Sequence, residues 1–184
     1  QGLADGYFVL PYTMQNYLSD QITVARFSTD LPEFDEAEKA VQAEVDRIYN
    51  VKGDRSVDSI HKELGHIMWE YVGMGRTKEG LEEGLKKMKA LRKVFNEHVR
   101  IPGDKEGLNV ELDKAIRLRD FLIMGELIAY DALNRNESCG GHFREESQTP
   151  EGEAKRDDDN YMYVACWKYN GSDDAAPELL KEDL

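Results

Sequence analysis

The chain has 184 residues and carries 24 Lys and Arg against 37 Asp and Glu, so its formal net charge is −13 at pH 7. Apolar residues make up 40% and charged residues 33% of the sequence, which is typical of one globular domain with a polar surface and excludes a disordered chain. The acidic balance predicts no nucleic-acid partner, because phosphate binding needs a basic surface. No apolar run approaches the roughly 20 residues of a membrane span.

Residues 1–34 are expected to be the end of a preceding domain followed by a linker. The chain opens at Gln1, without an initiator Met, in an apolar stretch, so we expect a piece of a longer protein. Apolar residues from Met14 to Ala25 recur at helical spacing, and residues 26–34 resemble a linker. Since an apolar helix without a local partner seeks another surface, segment 1–30 of the isolated chain should be disordered, displaced or packed against a second copy.

Residues 35–136 are predicted to form a helical bundle. The first helix is expected from Asp35 to Asn50, the second after the N-cap Ser56, the third from near Thr77, and the fourth from about Val110 to Asn134. The apolar face of the first helix would comprise Ala37, Val41, Val45, Ile48 and Tyr49. Long amphipathic helices joined by short links favour a mainly α fold, an antiparallel bundle of three to four helices.

Residues 137–184 differ in composition and are predicted to form a turn, an acidic loop, a short β element and a tail. Residues 145–160 are polar and acidic, and the alternation from Tyr161 to Tyr169 indicates a strand. The best local partner for that strand is the stretch 142–144, and the residues after Gly171 read as an acidic tail. Cys139 and Cys166 are too few for a disulfide framework and favour a reducing compartment, although a single bridge between them stays open.

The segment Glu137–Glu146 is the strongest candidate for a binding role. It places His142 and Arg144 next to two glycines, directly after the longest helix. Such a cation cluster can contact an anion or a substrate, or it can tie the following strand to the bundle by hydrogen bonds. The pattern by itself favours the second interpretation.

Two other motifs give weaker evidence of a functional site. His61 and His66 lie five residues apart and so do not form the i, i+4 pair of a zinc-binding helix. The glycines of residues 73–75 follow no predicted strand and are not a phosphate loop. We therefore predict no catalytic, cofactor-binding or metal-binding residue in this chain. A separate prediction pairs Glu126, which borders the apolar face of the fourth helix, with Arg76 in a buried or half-buried ion pair. An equally compatible alternative is that Glu126 is exposed to solvent and Arg76 caps the carbonyls of the second helix.

Four ordered motifs give the chain a family resemblance from end to end. Residues 2–20 look like the closing helix of a flavin domain, residues 68–77 read MWEYVGMGRT, residues 133–146 read LNRNESCGGHFREE, and residues 156–160 read RDDDN before an aromatic strand. In this order they resemble the C-terminal part of the flavoprotein subunit of succinate dehydrogenase and fumarate reductase. Cys139, Glu146 and Asp159 depart from that pattern, where the family usually has Arg, often has Asp, and has Glu, respectively.

The resemblance implies a spectrin-like helical bundle attached to a flavin domain and a capping domain. It implies that the full subunit interconverts succinate and fumarate with covalently held FAD and passes electrons through an iron–sulfur subunit to quinone at a membrane anchor. The flavin-binding and catalytic residues of the family lie upstream, so this fragment is expected to hold no cofactor and to be inactive alone. The implied location is peripheral, on the cytoplasmic face of the inner membrane.

Within this frame, residues 1–34 would end the flavin domain, residues 35–136 would be the bundle, and residues 137–184 would dock back on the catalytic domains. Arg76, His142 and Arg144 are the candidate docking or anion-contact residues. Two alternatives remain: the C-terminal domain of an L-aspartate oxidase-type flavoprotein, and a free-standing helical module that binds other proteins. The physiological direction of the reaction depends on redox partners outside the chain.

Overall fold

The computed structural model describes residues 2–24 and 26–184. The chain divides into two compact units, one ending at Ala43 and one beginning at Glu44. In chain order its elements are α1 (Gly2–Ala4), a π-helical turn (Asp5–Val9), α2 (Leu10–Tyr12), a second π-helical turn (Thr13–Tyr17), α3 (Pro32–Tyr49), β1 (Arg55–Ser56), α4 (Val57–Tyr71), α5 (Lys78–His98), β2 (Val99–Arg100), α6 (Val110–Asn134), α7 (Asp158–Tyr161), β3 (Tyr163–Lys168) and β4 (Glu178–Asp183).

The first unit is helical from Gly2 to Tyr17, so the prediction of a helix only in the second half of residues 1–25 is wrong. The helix alternates between α and π hydrogen bonding around Pro11, which has no N–H to donate and so disturbs the regular ladder. Of the residues predicted to be helical, Ile22 lies in the turn that follows the helix, and Ala25 lies outside the described residues. Leu3 and Phe8 are 78% and 74% exposed, which leaves the fate of this apolar segment in solution a prediction.

Helix α3 begins at Pro32, three residues before the predicted start, because proline is well suited to the first turn of a helix. Its predicted apolar face is confirmed at Val45, Ile48 and Tyr49 and is wrong at Ala37 and Val41, which are exposed. Only Ile48 is buried, Val45 and Tyr49 pack at the edge of the core, and Val41 is 65% exposed. The apolar spacing alone therefore did not reveal how much of this helix is covered.

Helices α4, α5 and α6 form the bundle of the second unit. Arg92 and Lys89 of α5 contact Glu126 and Tyr130 of α6 in that order, so these two helices run antiparallel. The predicted N-cap Ser56 accepts a hydrogen bond from the backbone N–H of Ser59, and α6 spans the predicted residues. The fold is thus mainly α and antiparallel, as predicted. The enclosed core comprises Ile48, Val57, Ile60, Leu64, Ile67, Val72, Leu81, Leu85, Met88, Leu91, Phe95, Val99, Ile101, Leu112, Ala115, Leu118, Leu122, Ala129 and Ala132.

Two glycines allow the helices to approach closely. A Cβ atom on Gly84 of α5 would lie 2.8 Å from the Cβ of Tyr71, and one on Gly125 of α6 would lie 3.2 Å from the sulfur atoms of Met68 and Met88. Close-packed interiors leave little space to accommodate such additions. The positions of α4 and α6 around α5 therefore depend on these two residues, neither of which the periodicity of the sequence singled out.

The C-terminal β element is an antiparallel hairpin of β3 and β4, with Tyr163 opposite Asp183 and Lys168 opposite Glu178. The prediction that β3 pairs with residues 142–144 is wrong, and so is the interpretation of the whole segment after Gly171 as a tail. Residues 142–144 are unavailable to β3 because their backbone groups bond to Cys139, Arg76 and Ser138. The strand therefore takes its partner from farther along the chain.

Candidate functional site

The segment Glu137–Glu146 begins with a tight turn. The backbone N–H groups of Cys139 and His142 each donate to the carbonyl of the other, at 2.9 and 3.1 Å. Gly140 in this turn has a φ of 60°, a left-handed conformation that glycine adopts without steric cost. The turn reverses the chain and returns His142 and Arg144 toward the bundle.

Arg76 receives the returning chain at the junction of α4 and α5. Its backbone N–H donates to the carbonyl of Phe143 at 3.1 Å, and its carbonyl accepts from the N–H of Glu145 at 2.9 Å. The Nε of its side chain donates to the carbonyls of Val72 and Gly73, the two residues that follow α4. This residue therefore both ends α4 and pairs with the Glu137–Glu146 segment.

Arg144 is 2% exposed, and its side chain contacts the C-terminal end of α6. Its Nη1 donates to the carbonyls of Ala132 and Leu133 at 2.9 and 3.3 Å, and its Nε to Glu146 at 3.1 Å. A cation at a helix C-terminus satisfies carbonyls that have no partner within the helix and interacts favourably with the helix dipole. The buried guanidinium is thus compensated by acceptors of this chain.

His142 connects Arg76 to Arg135, the residue that follows α6. Its Nε2 lies 2.7 Å from the carbonyl of Arg135, and since a carbonyl only accepts, Nε2 carries the proton. Its Nδ1 then accepts from the Nη1 of Arg76, 2.7 Å away. Burial lowers the pKa of His142, and the charges of Arg76, Arg135 and Arg144 lower it further against the opposing effect of the carbonyl. The geometry therefore holds a neutral imidazole among three cations.

Two carboxylates complete the site. Glu137, 2% exposed, accepts from the Nε of Arg135 at 2.7 Å and from the N–H of Asp157 at 2.9 Å. Glu146 accepts from the first N–H of α5, at Lys78, and from Arg144. Burial raises the pKa of Glu146, but these hydrogen bonds lower it by more, so the net shift is downward. Sequence reasoning assigned no role to Glu137; its place directly after the longest helix, in a motif of the family pattern, was the available signal.

The structure thus brings together the three residues predicted from the sequence, Arg76, His142 and Arg144. Their hydrogen bonds within the described part of the chain hold the segment Glu137–Glu146 against the ends of α4 and α6. Contact of these residues with an external anion or domain stays a prediction. Cys139 and Cys166 are both free thiols. Within residues 2–24 and 26–184, no group of three or more His, Cys, Asp or Glu side chains is arranged to hold a metal ion.

The predicted pair of Glu126 and Arg76 is wrong in its partner. Glu126 is buried, 6% exposed, and its Oε1 accepts from the Nε of Arg92 on α5 at 2.8 Å. The antiparallel register of α5 and α6 brings Arg92 beside Glu126, whereas Arg76 lies before the start of α5 and donates to the carbonyls that follow α4. Periodicity placed Glu126 at the edge of the apolar face but contained no information on which helix covers it.

Every helix in the described part of the chain is too short or too polar to cross a bilayer.

Comparisons with known proteins agree with this architecture. The family described as fumarate reductase flavoprotein C-term matches residues 61–184. The fumarate reductase flavoprotein subunit of Proteus vulgaris is 31% identical over 144 residues, which cover 78% of this chain and 23% of that protein. The L-aspartate oxidase of Yersinia pestis is 27% identical over 124 residues, which cover 67% of this chain and 20% of that protein.

Among solved structures, a mutant of the quinol fumarate reductase of E. coli has a TM-score of 0.73 at 26% identity, with 89% of this chain and 26% of that chain covered. This chain therefore spans only about a quarter, or less, of the length of these relatives. The matched residues include most of α4, the whole of α5 and α6, and the hairpin. The chain belongs to the fumarate reductase flavoprotein C-terminal family.

Proposed function

We propose that the chain is the C-terminal helical domain of a flavoprotein oxidoreductase subunit that interconverts succinate and fumarate with FAD. The observation that carries the proposal is the continuous family match over residues 61–184, which includes two bundle helices, the site of Arg76, His142 and Arg144, and the hairpin. The names of the similar proteins from Proteus vulgaris and E. coli support the substrate pair. In this function FAD belongs to the full-length subunit, and we expect this fragment to bind none and to be inactive alone.

The role of the chain within that subunit is to brace the catalytic domains. Residues 1–34 would end the flavin domain and link it to the bundle of residues 35–136, and residues 137–184 would dock back on the upstream domains. Exposed apolar side chains such as Tyr7 and Phe8, both 74% exposed, are consistent with a further domain covering the first segment. Arg76 and His142 are half-buried and keep surface for such docking, whereas Arg144 would position them from inside.

The partners of the subunit would be an iron–sulfur subunit and a membrane anchor, through which electrons pass to or from quinone. The similarity to quinol fumarate reductase supports this assembly. We propose a peripheral location on the cytoplasmic face of the inner membrane. No nucleic-acid partner is expected, given the net charge of −13.

An L-aspartate oxidase-type flavoprotein is the second candidate, because such an enzyme from Yersinia pestis shares 27% identity with this chain. It would change the substrate without changing the fold. A free-standing helical interaction module is the weaker hypothesis, since the family match covers the bundle and the C-terminal segment together.

The test is to purify the full-length subunit that contains this chain and to measure its flavin spectrum and its activity with reduced and oxidised one-electron dyes. Fumarate-dependent dye oxidation and succinate-dependent dye reduction are expected, whereas L-aspartate should be inert. Oxidation of L-aspartate without succinate turnover would select the second candidate. A colourless protein inactive with all three substrates would contradict both. The 184-residue chain alone serves as the control and should be colourless and inactive.

A further inference from the structure

A pocket lies between the bundle and the β3–β4 hairpin, and neither Arg76 nor His142 lines it. It encloses about 120 Å³ and is lined by Glu126 and Tyr130 of α6, Lys89 of α5, Trp167 and Tyr169 of the hairpin, and Asp173 in the loop between the strands. We call it the hairpin pocket. Its volume is many times the 10–15 Å³ that a single water requires by this measure and corresponds to a ligand of a few heavy atoms.

Three aromatic side chains, Tyr130, Trp167 and Tyr169, line the hairpin pocket. The Nε1 of Trp167 donates to Asp131 at 2.9 Å, and the hydroxyl of Tyr169 donates to Asp173 at 3.2 Å. These hydrogen bonds use the polar atoms of both rings and hold them in place. What Trp167 and Tyr169 still offer a ligand is therefore their π surface, which attracts cations.

The carboxylate of Glu126 supplies a negative charge at the inner wall. Its side chain is 8% exposed, and its Oε1 accepts from Arg92. Its Oε2 accepts no hydrogen bond from any residue that the structure describes. Among the described residues, every fully buried side-chain oxygen has a hydrogen-bond partner. Since Oε2 has none, it is not fully buried and keeps some access to solvent. Because Glu126 lines the hairpin pocket, we locate that access there.

The charges around the hairpin pocket are unbalanced. The charged residues that line the hairpin pocket are Lys89, Glu126 and Asp173, so its lining carries one more negative than positive charge. Lys89 is already engaged, because its Nζ contacts the hydroxyl of Tyr130 at 2.6 Å. The excess disfavours a carboxylate or phosphate ligand and favours a cation.

We propose that the hairpin pocket binds an alkylammonium group between the aromatic rings of Trp167 and Tyr169 and the free oxygen of Glu126. The group can belong to a small free amine or to a lysine side chain of a partner protein, since both present the same head and a short aliphatic stem. This site is independent of the flavin chemistry under Proposed function.

The test follows the fluorescence of Trp167 in the complete 184-residue chain. The chain has two tryptophans, and Trp69 is 84% exposed, so Trp69→Phe leaves Trp167 as the single reporter without disturbing the core. The probes are n-butylammonium, 1-butanol and butyrate at constant ionic strength. We expect a saturable response to n-butylammonium and at least about tenfold weaker responses to the neutral and anionic probes, from the loss of the cation–π and carboxylate interactions.

Two variants connect the response to the pocket. Glu126→Gln should weaken n-butylammonium binding about tenfold, and Tyr169→Leu, at a residue that is 66% exposed, should weaken it about fivefold while leaving the core intact. Glu106→Gln, at an exposed residue in the loop before α6, is the matched control and should change nothing. Circular dichroism identifies any variant that does not fold.

The source of the ammonium group is decided by a fourth probe, N-acetyl-lysine methylamide. Binding equal to that of n-butylammonium indicates a lysine side chain of a partner, and much weaker binding indicates a free amine; both support the site. Equal responses to n-butylammonium and 1-butanol would overturn the proposal, and so would the absence of a saturable response to n-butylammonium from the folded Trp69→Phe chain that retains Tyr169 and Glu126.

Discussion

Removal of either member of the Arg92–Glu126 pair should destabilise the bundle, and the two substitutions should have unequal costs. The side chains of Arg92 and Glu126 are 11% and 8% exposed, and the Nε and Oε1 atoms lie 2.8 Å apart. Truncation of one partner of such a pair costs about 3–5 kcal/mol, because the other charge remains buried without compensation. The hydrogen bonds around each residue decide where in that range each substitution falls.

Arg92 has further acceptors, since its Nη2 donates to the carbonyl of Asp173 and to Asp174, each at 3.0 Å. Without Glu126 the guanidinium keeps these two hydrogen bonds, so Glu126→Ala should cost about 3 kcal/mol. Without Arg92 the Glu126 carboxylate accepts no hydrogen bond from the described residues, so Arg92→Ala should cost closer to about 5 kcal/mol. The double substitution Arg92→Met, Glu126→Leu removes both charges and should lie near the wild type in stability.

Equilibrium urea unfolding measures these differences as shifts of the midpoint at constant slope. The control is the exposed pair of Lys93 and Glu97, 3.9 Å apart on the same helix, where Lys93→Ala should cost less than about 0.5 kcal/mol. A cost of Glu126→Ala below about 1 kcal/mol, or one larger than that of Arg92→Ala, would refute this account of the buried pair.

Three other predictions follow from local geometry. Gly84→Ala should destabilise the bundle by about 1–3 kcal/mol in urea unfolding, because its methyl group would lie 2.8 Å from Tyr71. The control Gly65→Ala, in open space on α4, should stabilise the chain by about 0.5–1 kcal/mol. A stabilising Gly84→Ala would contradict the close approach of the helices. Burial holds the pKa of His142 in the folded chain below its usual 6.5, so the corresponding stability is present above pH 6.5 and is lost as the pH falls below it. His142→Gln should flatten the urea-measured stability profile below about pH 6.5, and an unchanged slope there would contradict this reasoning. Asn109→Ala should cost about 2 kcal/mol in thermal or urea unfolding, because the side chain caps α6 through Leu112 and also holds two loop carbonyls; a loss below about 0.5 kcal/mol would exclude that role.

Much of the bundle could be predicted because its determinants are local. Ser56 and Thr77 each cap a helix by accepting an N–H three residues on, and the span of α6 from Val110 to Asn134 follows from apolar spacing between an Asn cap and a polar break. The turn after Glu137 was likewise visible in its adjacent glycines, one of which has the positive φ that the turn requires.

The sequence alone also brought Arg76, His142 and Arg144 forward as candidates: His142 and Arg144 because they stand beside two glycines after the longest helix, and Arg76 through the family pattern. What it did not contain was their geometry. The neutral state of His142 follows from an acceptor on Arg135 and a donor on Arg76, which is 66 residues away in the chain. Whether these cations meet an external anion or the ends of their own helices depends on how the chain folds back.

Partner choice over long separations was decided only by the tertiary structure. Glu126 was correctly placed at a buried edge, but the register of two antiparallel helices, and not its own neighbours in sequence, selected Arg92 over Arg76. The strand at Tyr163 was visible in its alternation, yet its partner at Glu178–Asp183 depended on the backbone of residues 142–144 being occupied elsewhere. Periodicity reports which face of an element is apolar, whereas the identity of what covers that face is a property of the folded chain, because contacts between distant residues form only when all the elements pack together.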